Sequence, residues 1–126
     1  MLEGYSLNVA VPANSPVPFN NVTIEKGCTA RIISPTTIVF NERGVYMVAC
    51  DGSAAAASTI QLYKDSVAQP QAQSVGTTPN FITFVQVDRN NNPNCCCSSP
   101  ITVQIYNPTD AEETFTNINV CVSKLC

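Results

Sequence analysis

With 126 residues the chain is the size of one domain and can bury a core without cross-links to keep it folded. Charged residues make up 12% of it, against roughly 25% in typical soluble domains, and the net charge is -3, so the exterior must be dressed mainly in Asn, Ser, Thr and Gln. Lys26, Arg31, Arg43, Lys64, Arg89 and Lys124 stand singly. That excludes the clustered positive stripe that nucleic-acid binding needs, and no apolar run approaches the roughly 18 residues of a membrane helix.

The opening MLEGYSLNVAV has neither a positive n-region nor a long apolar h-region, so no secretory signal is expected and synthesis is expected in the cytosol. Pro12, Pro16 and Pro18 break any ladder the first residues could join. Residues 1–16 therefore read as an extended arm, lying on its own domain or reaching a neighbour, and residues 17–126 as the folded domain. Asn21-Val22-Thr23 is a glycosylation sequon that goes unused if the chain is not exported.

From there, short runs rich in Val, Ile, Thr, Phe and Tyr recur between clusters of Asn, Asp, Gly and Pro, with no apolar repeat at helical spacing. The class is all-β. Strands are expected over Val17 to Val22, Cys28 to Ile33, Thr37 to Phe40, Val45 to Asp51, Thr59 to Lys64, Phe81 to Val87, Pro100 to Tyr106 and Phe115 to Val122. Ser53 to Ser58, SAAAAS, reads as a tightly packed continuation of a strand, and Gln69 to Asn80 and Asn90 to Ser99 as loops. Eight strands at this spacing suggest a β-sandwich or a jelly roll.

Two kinds of strand can be told apart. Ile101, Val103 and Ile105 alternate with Thr102 and Gln104, as expected of a strand with one face in a core and one in water. Val45, Met47 and Ala49 instead oppose Tyr46, Val48 and Cys50, and Ile82 and Phe84 oppose Phe81, Val85 and Val87. A two-layer sandwich buries only the inner face of each sheet, so strands apolar on both faces call for a second cover. A second copy of the chain could supply it, or the N-terminal arm or a long loop.

The inventory for catalysis is poor. The chain has no histidine, and no triad or nucleophile elbow is present, so no enzymatic activity and no cofactor are expected. Asp51, Asp65 and Asp88 fall at predicted strand ends, where carboxylates accept bonds from nearby backbone amides. Asp110, Glu112 and Glu113, in TDAEET, could help to hold a hard cation, but lack the spacing of a dedicated calcium loop and read as a solvated loop.

The seven cysteines include the run NCCCSSP. On an extended chain Cys95 and Cys97 share a face and Cys96 takes the other, and no second pair at chelating spacing exists, so no metal site is expected. Cys50 and Cys121 sit inside apolar strands as small hydrophobes. Cys95, Cys96, Cys97 and Cys126 remain as candidates for cross-links.

The stretch IVFNERGVYMVACD, followed by IQLYKDSVAQPQ, FITFVQV, ITVQIYN and FTNINV, resembles the trimeric jelly-roll superfamily of tumour necrosis factor and the complement-type globular heads. The likeness covers roughly residues 17 to 123. Asn117 stands in FTNINV where these families usually carry Gly, and residues 1–126 contain no Gly-x-y repeat. The PVPFNNVT-like opening and the cysteine-rich late loop further resemble phage head fibre or capsid decoration proteins, and the heads of spore-surface proteins.

The resemblance implies a jelly-roll sandwich of two antiparallel sheets assembling as a homotrimer. Val45, Met47, Ile82, Phe84 and Phe115 would face the three-fold axis, and Tyr46, Val48, Val85, Val87, Ile118, Val120 and Val122 would fill the core. It further implies a non-enzymatic structural protein on a virion surface, made in the host cytoplasm, with the major capsid protein as partner. The alternative is a receptor- or glycan-binding head of a phage tail or spore-surface protein, with a host-surface ligand. Three copies of the cysteine loop in a trimer would allow disulfides between subunits.

Overall fold

The computed structural model describes residues 1–27, 30–88 and 101–125, and these contain strands and turns but no helix. In chain order the strands are β1 (Leu2–Val11), β2 (Ser15–Pro16), β3 (Asn21–Glu25), β4 (Ala30–Ser34), β5 (Thr37–Phe40), β6 (Gly44–Ala54), β7 (Ser58–Lys64), β8 (Val67–Gly76), β9 (Asn80–Val87), β10 (Ile101–Asn107) and β11 (Glu113–Lys124). One sheet runs β3-β1-β11-β6-β9 and the other β4-β5-β10-β7-β8, with β2 pairing beside β5 along β10. The strand pairs are antiparallel.

Between the sheets lies a core of alternate residues from both. Phe40, Ile60, Leu62, Val103 and Ile105 come from one side, and Tyr46, Val48, Val85, Ile118, Val120 and Val122 from the other. The core residues that the resemblance implied, Tyr46, Val48, Val85, Val87, Ile118, Val120 and Val122, all lie within this core. Phe40 and Tyr46 stack with ring centroids 4.5 Å apart, and the buried Tyr46 hydroxyl donates to the Glu42 carbonyl at 2.6 Å.

The N-terminal residues differ from the expected arm. Leu2–Val11 is an interior strand, bonded to β11 on one side and β3 on the other. Its inward positions include Gly4 and Ser6, which hide the apolar alternation, and Asn8, at φ 50°, shifts the phase so that Val11 also turns inward. Ser6 is buried yet satisfied: its hydroxyl donates to the Pro18 carbonyl at 2.6 Å and accepts the Asn20 amide at 2.9 Å. Pro12 and Pro18 lie in the connections that follow, and Pro16 sits in the two-residue β2 opposite Tyr106.

A second correction concerns Phe115. Plain alternation from Ile118, Val120 and Val122 would turn it outward, but it is fully buried. In the pairing with β6, Phe115 lies opposite Ala54 and Asn117 opposite Ser53, so Thr116 is an extra residue and the strand changes phase there. The inward ring lies over Gly52, where an added Cβ would come within 3.3 Å of Phe115 Cδ1 and 3.2 Å of the Asn117 carbonyl oxygen.

Two connections also differ. Ala55–Ala57 form an exposed bend between β6 and β7 instead of prolonging a strand. Much of the expected loop Gln69 to Asn80 is β8, an edge strand with Pro70 and a single fully buried residue, Ala72. Asp65 and Ser66, at φ 48° and 68°, make the two-residue hairpin turn between β7 and β8.

The far end of the sandwich is tied by the buried Asn107. Its amide donates to the carbonyls of Val11, Pro12 and Ala111, while its oxygen accepts the Thr109 amide and hydroxyl.

Candidate functional site: the outer face of the five-stranded sheet

The outer face of the β3-β1-β11-β6-β9 sheet carries the unusual chemistry. Tyr46, Val48, Cys50 and Gly52 of β6 point inward, leaving Val45, Met47, Ala49 and Asp51 outward. On β9, Phe81, Thr83, Val85 and Val87 are buried, while Ile82 and Phe84 are 66% and 60% exposed. Register sets Met47 beside Phe84 and Ala49 beside Ile82, and across β11 it sets Cys121 beside Ala49.

Side chains directly opposite on one face of a sheet stand about 5 Å apart at Cβ, so these residues form a continuous apolar strip rather than scattered exposures. Leu125 prolongs it, its amide bonding to the Val45 carbonyl at 2.7 Å and its side chain exposed. Four of the five residues expected on the axis-facing side, Val45, Met47, Ile82 and Phe84, are thus brought together, and Phe115 is not among them. Ala49, which alternation groups with Val45 and Met47, belongs to the strip as well, and Cys121 and Leu125 join it without having been foreseen. A cysteine and a terminal leucine carry little signal.

Where the strip meets the strand ends, a cleft of about 450 Å³ is lined by Asp51, Ser53, Thr78 and Asn80 beside Ile82. The Gly52 amide donates to the Pro79 carbonyl at 2.9 Å and the Ala54 amide to the Thr77 carbonyl at 2.8 Å, holding the turn between β8 and β9 against β6. Glu3 lies beside Cys121 in register and Asn119 beside Asp51, so polar groups continue the face beyond the strip.

Of the two cysteines expected to be small buried hydrophobes, Cys50 is buried and Cys121 is only partly so. Cys50 is buried and desolvation drives its thiol far above the ordinary range, so it is chemically quiet. Cys121 is half-buried on the outer face, and burial pushes its thiol up too. Cys28, Cys95, Cys96, Cys97 and Cys126 lie outside the described residues. Among the described residues no three His, Cys, Asp or Glu side chains converge as a metal-binding group.

The acidic candidates are separated by the fold. Asp65 Oδ1 accepts the Thr102 amide at 2.9 Å, as expected of a turn carboxylate, whereas Asp88 accepts the Gln86 side-chain amide. Asp110 accepts from the Asn14 side chain at 3.3 Å. Glu113 is buried, its Oε1 accepting the Thr59 amide at 2.8 Å, and desolvation pushes its carboxyl above the usual range against that bond.

No family model matches the chain and no curated protein matches it in sequence. Solved structures do match its shape. The globular domain of a zebrafish complement 1qA protein superposes with a TM-score of 0.65 at 10% identity, covering 95% of this chain and 94% of that one. Eiger TNF from S. frugiperda gives 0.64 at 8% identity over 99% of this chain and 92% of that one. Murine APRIL gives 0.60 at 10% identity over 98% of each. The fold is the jelly-roll sandwich shared by tumour necrosis factor and complement-type globular heads, as the order of sequence motifs implied.

Proposed function

We propose that the chain is a non-enzymatic structural module that assembles as a homotrimer through the outer face of its five-stranded sheet, and that it decorates a virion surface as a capsid decoration or head fibre protein. The observation that carries the assembly is the strip itself. Exposed Ile82 and Phe84, side by side with Met47 and Ala49, cost solvation free energy of about 25 cal/mol per Å² until another surface covers them. A second copy of this chain presents the same apolar surface, and a three-fold arrangement closes without leaving a strip open.

The placement on a phage capsid rests on the sequence resemblance of the opening and the late cysteine loop. A weakly charged, amide-rich exterior suits a passive module made in the host cytoplasm and docked on the major capsid protein. The test is co-sedimentation of the purified protein with empty capsids. Stoichiometric binding supports the capsid role, and free protein with unoccupied capsids removes it.

The second reading, a receptor- or glycan-binding head with a host-surface ligand, draws on the opposite sheet. There Tyr63 and Tyr106 stack with centroids 4.0 Å apart on the outer face, a partly exposed aromatic pair flanked by Gln61 and Gln104. Binding to whole host cells, abolished by a Y63A/Y106A variant, would favour it.

A further inference from the structure

At the end of the sandwich where β11 begins, one carboxyl joins the two sheets. Glu113 opens β11 in the five-stranded sheet, and its Oε1 accepts the amide of Thr59, in β7 of the six-stranded sheet, at 2.8 Å. The residue is 8% exposed, and Oε2 is buried with no hydrogen-bond partner. The Thr109 hydroxyl in the preceding turn gives its proton to Asn107 Oδ1 at 2.7 Å.

The carboxyl also lacks a counterion. Val11 stands opposite it on β1, and Ser58, Thr59 and the Ala55–Ala57 bend face it from β7 and the β6–β7 connection, all of them uncharged. The charged side chains of its own segment are Glu112 and Asp110, both negative and exposed. Among the described residues the ion pairs go to Glu25 and Glu42 instead. A buried carboxyl oxygen without a donor is costly when ionised and much less so when protonated. Desolvation outweighs the Thr59 amide and the Thr109 hydroxyl, which favour the ionised form, and holds the Glu113 carboxyl above the usual range. A proton on Oε2 leaves Oε1 free to keep the Thr59 amide.

We propose that Glu113 is an acid-tightened clamp between the two sheets, closed while a proton sits on Oε2 and loosened when that proton leaves, with the Ala55–Ser58 bend as the part that opens. The bend is exposed at its three alanines and is separated from Glu112–Thr114 by a cavity of about 260 Å³, so a small outward shift lets water reach the ionised oxygen. The folded chain keeps this proton to a higher pH than the unfolded chain does. The group therefore favours folding most at acid pH, and that contribution is lost as pH rises through the folded carboxyl's range.

The test follows the full chain at pH 5 and pH 8, at fixed ionic strength and protomer concentration, by urea unfolding and by hydrogen exchange of the Thr59 amide corrected for the intrinsic effect of pH. The wild type is expected to be less stable than E113Q at pH 8, with the gap closing at pH 5. Its Thr59 amide is expected to lose protection several-fold at pH 8. D110N and E112Q, which alter exposed carboxylates, are expected to keep the wild-type profile. If E113Q does not fold, the exchange of Thr59 in the wild type decides. Equal protection of that amide at both pH values, or a gap between wild type and E113Q that does not change with pH, overturns the proposal.

Discussion

Truncating Phe115 separates a core position from a surface one. The ring is fully buried between the sheets, over Gly52, because the extra residue Thr116 reverses the phase of β11. Phe to Ala in such a place removes the transfer free energy of a large aromatic group and leaves a cavity that neighbouring strands can only partly close, at a cost of about 3–5 kcal/mol. For a domain of this length that lowers the melting temperature by about 10–20 °C. If alternation ran unbroken through β11, Phe115 would stand outside, its truncation would change the stability of a protomer by less than about 0.5 kcal/mol, and the effect would fall on assembly. Urea unfolding followed by far-ultraviolet circular dichroism at fixed protomer concentration, alongside light scattering, distinguishes the two. A loss below about 1 kcal/mol together with a fall in particle mass would refute the bulge argument.

Three further outcomes are expected. G52A forces a methyl group against the Asn117 carbonyl and the Phe115 ring and costs about 1–3 kcal/mol; the penalty shrinks when combined with F115A, and strict additivity in the urea cycle would contradict the contact. N107L keeps the volume but strands the carbonyls of Val11, Pro12 and Ala111 and the Thr109 amide, at a cost of about 2–4 kcal/mol in the same assay, and an unchanged urea midpoint would speak against that network. Cys50, 2% exposed with its thiol driven up by burial, resists iodoacetamide at pH 8 until the chain unfolds, whereas rapid labelling by peptide mapping would show that it is not in the core.

What could be read from the chain follows from where alternation is undisturbed. In β6 and β9 apolar residues occupy both phases, so both the inner set and the outer positions Val45, Met47, Ala49, Ile82 and Phe84 could be read. In β1 the inward positions hold Gly4 and Ser6, and the serine works by bonding the Pro18–Asn20 segment, a long-range compensation invisible to local pattern. The polar, proline-bearing β8 hides because an edge strand can leave its outer residues in water. Phe115 was misplaced because a bulge adds one residue without marking composition, although Asn117 in a position usually held by glycine lies at that spot. The pairing of Glu113 with Thr59 joins residues 54 positions apart, which no motif spacing encodes.

The central claim is that the strip on β6 and β9 is covered by copies of the same chain. Light scattering on the purified protein tests it most directly, run beside an I82S/F84S variant that alters only exposed side chains and so leaves the fold intact. The account predicts three times the 13.5 kDa chain mass for the wild type, stable on dilution, and the single-chain mass for the folded variant. A wild-type protein that stays at the single-chain mass, or a variant that keeps the full trimer mass, would contradict it.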